Sequence, residues 1–169
     1  ALAGYNETPA KIARSLADRV RSADAAGVIG SALKSAPEMA AFANTTMIRC
    51  LDLNDDYFGK DGPHPSDLIG AVLAAAEMAN ANGASFIVAV AVAYEALCTL
   101  VDAVGIRERG WDYVTYTSLA AALGAAAPPG RSAGSRARTW ARPRLNRSPR
   151  GSSGRSSGTP DLRPGMIAR

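Results

Sequence analysis

The segment 51–67, LDLNDDYFGKDGPHPSD, holds the chain's only histidine, His64, among aspartates. Asp52, Asp55, Asp56 and His64 are the side chains whose types suit chemistry. Asp52 stands three residues before Asp55 and four before Asp56, so a helix persisting to Asp56 would put these carboxylates on one face. Buried together, they would force at least one carboxyl to keep its proton and stand ready to donate it. An imidazole gives or takes a proton near neutrality. An acid and a base at one pocket suit an elimination: one removes a carbon-bound proton and the other protonates a departing hydroxyl. A plainer reading of the same residues stands beside this one. Aspartates at a helix end and in a loop are ordinary solvated groups, and a histidine between Pro63 and Pro65 can simply tie down that loop. No HxH, HxxxH or calcium-loop spacing supports a metal, and neither GxxxxGK[ST] nor GxGxxG occurs here to hold a nucleotide. On these patterns neither a metal nor a nucleotide is expected.

The elements that must position these groups read as helices. Thr8-Pro9 starts the first, with Ile12, Leu16 and Val20 on one face. A short helix is expected over Ala25–Lys34. Another runs from Pro37 to about Leu51, with Met39, Phe42, Thr46, Met47 and Cys50 as its inward stripe. Gly59, Gly62, Pro63 and Pro65 make the acidic segment a loop. Ser66 is expected to cap the next helix, lined by Leu68, Val72, Ala75 and Ala79, with Gly70 and the alanines allowing close helix contact. Ser85 is expected to cap a helix through Phe86, Val90, Ala93, Leu97 and Val101. Residues 107–113 link it to an alanine-rich helix from Tyr116. No run alternates as a strand does. The expected fold is therefore an all-α helical bundle.

Charge divides the chain. Residues 1–127 carry nine Lys/Arg and fourteen Asp/Glu, whereas 128–169 carry ten Arg and one Asp, so the overall +4 averages two unlike parts. In the second part, 29 of 42 residues are Arg, Pro, Gly or Ser, a composition that cannot offset its ordering entropy by burial. The expected organisation is a helical domain at 1–127 and a disordered basic tail at 128–169. The break falls inside an apparent helix. It fits a tail with a job, an inert tail, or the product of a reading-frame change in a GC-rich gene. Charge alone does not make the tail a nucleic-acid binder, because aromatic interleaving is lacking beyond Trp140.

Cys50 and Cys98 lie in apolar helical pattern and read as buried free thiols, which fits a cytoplasmic protein. No basic-then-apolar leader is read at the start. The apolar run Phe86–Val104 has Glu95 at its middle and is rich in alanine, so it reads as a buried core helix and not a membrane span.

Three stretches carry a resemblance: MIRCLDLNDDYF at 47–58, GPHPSDLIGAVLAAAE at 62–77 and AYEALCTL at 93–100. Together they resemble the MmgE/PrpD family, which includes 2-methylcitrate dehydratase and cis-aconitate decarboxylase. RGWDYVTYTSLAAALGAA at 109–126 extends it weakly, and residues 1–46 fit more loosely. The resemblance implies a large helical domain followed by a smaller α/β domain, with the active site between them, a homodimer, and a cofactor-independent lyase acting on a small tricarboxylate. It implies catalytic roles for Asp52, the acid of the family's first motif, and His64, the histidine of its HPS motif. It places Asp56 and Tyr113 at the substrate, with two departures. Asp56 stands where the family usually has threonine, and Tyr113 where a histidine is frequent. An aspartate there puts negative charge where a polycarboxylate should dock. Tyrosine still hydrogen-bonds but is a poor acid or base at neutrality. The resemblance also implies that the helix should continue past Ala127 and that cations of the second domain complete the site, so a truncated chain is expected to be inactive alone. Arg49, Lys60 and Arg109 are the nearest cations within this sequence. The alternative function is a non-catalytic helical interaction protein whose basic tail binds nucleic acid.

Overall fold

The computed structural model describes residues 1–127, and the expected basic tail lies outside the described residues. The body is predominantly helical, in keeping with the expected all-α class. In order come α1 (Thr8–Asp18), a two-residue ribbon of β1 (Ala26–Gly27) and β2 (Lys34–Ser35), α2 (Pro37–Arg49), α3 (Ile69–Met78), α4 (Gly83–Ala103) and α5 (Val114–Ala126). Short 3-10 turns stand at Ala3–Asn6, Pro65–Leu68 and Arg107–Arg109. Helix α3 is central. It packs on α2 on one side and on α4 and α5 on the other.

Two cores result. The first gathers Ala10, Ala13 and Ala17 of α1 with Ala26, Val28, Ala40, Ala43, Met47 and Ala74. The second gathers Leu68, Val72, Ala89, Ala93, Leu97, Val101, Tyr113, Tyr116 and Ala120. The close packing expected at Gly70 is present: a Cβ there would lie 2.9 Å from the Ala41 carbonyl oxygen, so only glycine lets α3 come this near α2.

Several local expectations are corrected. On α1 the alanines face inward, and Ile12, Leu16 and Val20 are exposed. Alanine at every inward position lets α1 lie almost backbone to backbone on α2, where a leucine would hold it off. On α2 the inward face is Pro37, Ala40, Ala43, Asn44 and Met47. Phe42 is exposed, and Thr46 returns its hydroxyl to the Phe42 carbonyl at 2.8 Å. Residues 25–34 form a hairpin and not a helix, pairing Ala26 with Ser35 and Gly27 with Lys34. Gly30 turns the chain at φ +79°, a backbone region closed to most side chains. Buried Asn44 then serves as a third strand in miniature. Its Oδ1 accepts from the Ile29 N–H at 2.9 Å and its Nδ2 donates to the Gly27 carbonyl at 3.0 Å. The helix-cap expectations also shift. Asn82, not Ser85, caps α4, its Oδ1 accepting from the Ser85 N–H at 2.9 Å.

Helix α4 buries Ala89, Ala93, Leu97 and Val101 in the second core and leaves Ile87, Val88 and Val92 exposed. It is thus a core helix by one face only. Among the described residues it is the one helix long and apolar enough to cross a membrane, with 22% of the apolar window buried. Cys50 and Cys98 are free and half-buried, and burial pushes the Cys98 thiol up.

Candidate active site

The site begins where α2 stops. The helix is capped by Cys50, and two residues later Asp52 adopts left-handed backbone at φ +53°. Aspartate is among the few residues with a Cβ that enter this region readily, since its short side chain bonds locally. The helix therefore does not persist to Asp56, and the three aspartates share no helical face. They are spread along a loop that Gly59, Gly62, Pro63 and Pro65 keep irregular.

That loop is fastened at both ends. Tyr57 donates its hydroxyl to Asp102 at 2.7 Å, Lys60 donates to the Ala103 carbonyl at 2.8 Å, and Asp61 accepts from the Ile106 N–H at 2.9 Å. Lys60, one of the expected cations, is therefore engaged with the C-terminal end of α4, where a positive charge suits the exposed carbonyls. At the other end the Asp55 carboxylate accepts from the Ser66 N–H at 2.9 Å. Asp55 thus performs the capping expected of Ser66, whose own buried hydroxyl has no partner.

The loop folds His64 back against its own aspartates. Nδ1 lies 2.9 Å from the Asp55 carbonyl and 2.8 Å from Asp56 Oδ1. A carbonyl oxygen only accepts, so Nδ1 carries a proton. Nε2 is turned the other way and lies 3.7 Å from Asp52 Oδ1. The His64 side chain is 13% exposed, against 71% for Asp52 and 44% for Asp56. The Tyr113 ring meets the imidazole edge-on, centroids 5.7 Å apart. All four residues singled out from the sequence are therefore neighbours, although Asp52 and Tyr113 are 61 positions apart in the chain. The carboxylate of Asp56 is turned onto His64, although its side chain stays exposed.

Two participants carry weight that the sequence did not reveal. Arg49, in the last turn of α2, pairs with Asp52 through Nη1 and donates from Nη2 to the Tyr113 hydroxyl at 3.4 Å. Its Nε lies 3.7 Å from Asp67 Oδ2. Partial desolvation works against its charge, but the Tyr113 and Asp52 contacts prevail and hold its pKa above the usual guanidinium value. Asp67 is the second. Burial pushes its carboxyl up, opposed by Arg49, His64 and a hydrogen bond from Asn54 Nδ2 at 3.1 Å. The only trace of either in the sequence was Arg49's place among three nearby cations. Tyr94, behind the loop, is also pushed up, by burial first and by Asp55 second.

None of the four lines the neighbouring cleft. That cleft, of about 430 Å³, is walled by Met47, Ile48, Leu51, Asn54, Asp55, Ser66 and Tyr94 among others. Among the described residues no cluster of His, Cys, Asp or Glu has the arrangement of a metal site. Chemically, the group offers a carboxylate beside an imidazole of fixed orientation, with one cation pinned against the carboxylate.

Comparison with known protein families matches residues 1–134 to the MmgE/PrpD N-terminal domain. No solved structure matches the chain.

Proposed function

The chain belongs to the MmgE/PrpD family, and from that premise we propose that its helical domain carries the acid–base pair of a lyase resembling 2-methylcitrate dehydratase. The observation that supports this reading is the pairing of Asp52 with His64 across 3.7 Å, with His64 Nδ1 already engaged. Asp52 is paired with Arg49, and both of its contacts fall on Oδ1. Its other oxygen is the proton acceptor: it removes the carbon-bound proton next to a substrate carboxylate. The electrons of that C–H bond form the new C=C bond. The hydroxyl on the adjacent carbon leaves with a proton from His64 Nε2, as water. The cycle closes when the proton on Asp52 returns to His64 through solvent. No cofactor enters any step.

Asp56 orients the imidazole from the Nδ1 side, and Tyr113 flanks the substrate position from α5. Charge is the weak point of this half-site. Asp52, Asp55, Asp56 and Asp67 outnumber the one cation, Arg49, so a tricarboxylate requires cations from outside residues 1–127. We therefore propose that these residues alone turn over little substrate, that the working form is a homodimer, and that it acts in the cytoplasm.

The test is 2-methylcitrate added to the 169-residue chain, read by the absorbance of the new double bond and by the signal of the single imidazole. Binding moves that signal, and any turnover is lost in Asp52→Asn and His64→Gln. An imidazole signal unmoved at millimolar tricarboxylate, or turnover that survives both substitutions, overturns the lyase reading.

A further inference from the structure

The three faces of the Arg49 guanidinium are each taken. Nη1 pairs with Asp52 on the loop, Nη2 donates to Tyr113 at the start of α5, and Nε faces Asp67 on the 3-10 turn at 3.7 Å. Asp67 is itself fixed: its side chain is 8% exposed and its other oxygen accepts from Asn54. Asp52 is the opposite, 71% exposed on a loop, with a side chain free to turn unless something holds it. A planar fork with donors in fixed directions holds a carboxylate in one orientation, where an ammonium would hold it only by charge.

We infer that Arg49 is a positioning residue, which aims the Asp52 carboxylate at His64 Nε2 and is anchored from behind by buried Asp67 and from the side by Tyr113. The inference rests on reading Asp52 and His64 as the acid–base pair. It has a consequence for specificity. The cation nearest the pair is committed to the protein's own groups, so it is not the group that receives a substrate carboxylate.

His64 is the only histidine, so its ring nitrogens give isolated signals in the spectrum of the whole 169-residue chain. The charged or titratable groups facing it are Asp52 and Asp56 from the loop, Asp67 from the 3-10 turn, Arg49 from α2 and Tyr113 from the start of α5. Arg49→Lys keeps the charge and removes the fork. Released from the guanidinium's fork, Asp52 turns away from Nε2 into solvent, and the His64 titration midpoint falls by about half a pH unit, a threefold change in proton affinity. Tyr113→Phe deletes one arm and no charge, and gives a smaller fall. A midpoint that stays put or rises in Arg49→Lys overturns the inference. Should that variant not melt cooperatively, the same outcome in Tyr113→Phe overturns it. The readout needs no substrate. A lowered midpoint in a chain that never binds tricarboxylate retires the lyase reading and keeps the positioning role. Binding that depends on Asp52 and His64 but not on Arg49 does the reverse.

Discussion

The two cores of this domain are built on different principles. In the first, seven of the nine buried residues are alanine. Helices α1 and α2 touch there through Cβ atoms, and little apolar area is gained per residue. Close backbone contact and the polar grip of Asn44 on the hairpin do the holding. In the second, leucine, valine and two tyrosines supply the bulk, although α5 still meets α4 closely at Gly124, where an added Cβ would lie 3.2 Å from the Ala89 carbonyl oxygen. The difference teaches where each half is vulnerable. A core made of large side chains fails when one is removed, and a core made of alanine fails when one is enlarged. The site lies on the seam. Arg49 comes from the alanine-built half and Tyr113 from the bulky half, and the loop with Asp52 and His64 passes between them.

Four substitutions sharpen or break this contrast. Leu97→Ala, in the centre of the second core, is expected to cost about 2–5 kcal/mol by leaving a cavity. Asn44→Ala strips partners from the Ile29 N–H and the Gly27 carbonyl, and is expected to cost about 2–4 kcal/mol. Ala13→Leu adds apolar surface yet is expected to destabilise by about 1–3 kcal/mol, because α1 has no room to receive it. Lys60→Ala is expected to stay within about 0.5 kcal/mol, since one exposed bond to a helix end is lost. Urea unfolding of the four variants ranks them. If Ala13→Leu is stabilising, or Leu97→Ala is neutral, the contrast between the cores is wrong.

Asp67 adds a pH dependence at the seam. Burial raises its pKa in the fold, so the folded chain binds this proton more tightly than the unfolded chain. The resulting stabilisation is fully present below the unfolded pKa and is lost as pH rises through the raised folded value. Wild type measured against Asp67→Asn should therefore be relatively most stable in acid and lose ground as pH rises across that window. A difference in urea midpoint that stays flat from about pH 3 to pH 7 would show that Asp67 keeps its ordinary affinity for the proton.

Much of this was legible in the residues. The helical class, the loop at Gly59–Pro65, the close contact at Gly70 and the company of Asp52, Asp56, His64 and Tyr113 were all readable from types and spacing or from family motifs. The misreadings share a cause. Ile12, Leu16 and Val20 form a good apolar stripe, but stripe size does not reveal which face a neighbour will meet, and here close packing favoured the alanine face. Residues 25–34 do carry two glycines, Gly27 and Gly30, that disfavour a helix, but nothing local shows where a strand would find its partners. The hairpin exists because Asn44, ten or more positions downstream, satisfies its open backbone groups. Ser66 looked like a cap, but its own N–H is held by Asp55 and its hydroxyl has no partner.

Local chemistry decided what this chain could read off by itself. A lone histidine beside prolines and aspartates sits in a loop, proline opens α1 and α2, and only glycine admits α3 to α2, because these are properties of single residues and short spacings. Tertiary structure alone decided which cation meets the site and where the aspartates point. Arg49, Lys60 and Arg109 are equivalent by charge, yet Arg49 alone is seen at the site and Lys60 is turned to the end of α4. A long charged side chain goes wherever packed elements place its partners, and a charge pair forms only between groups that folding has already brought within a few ångströms.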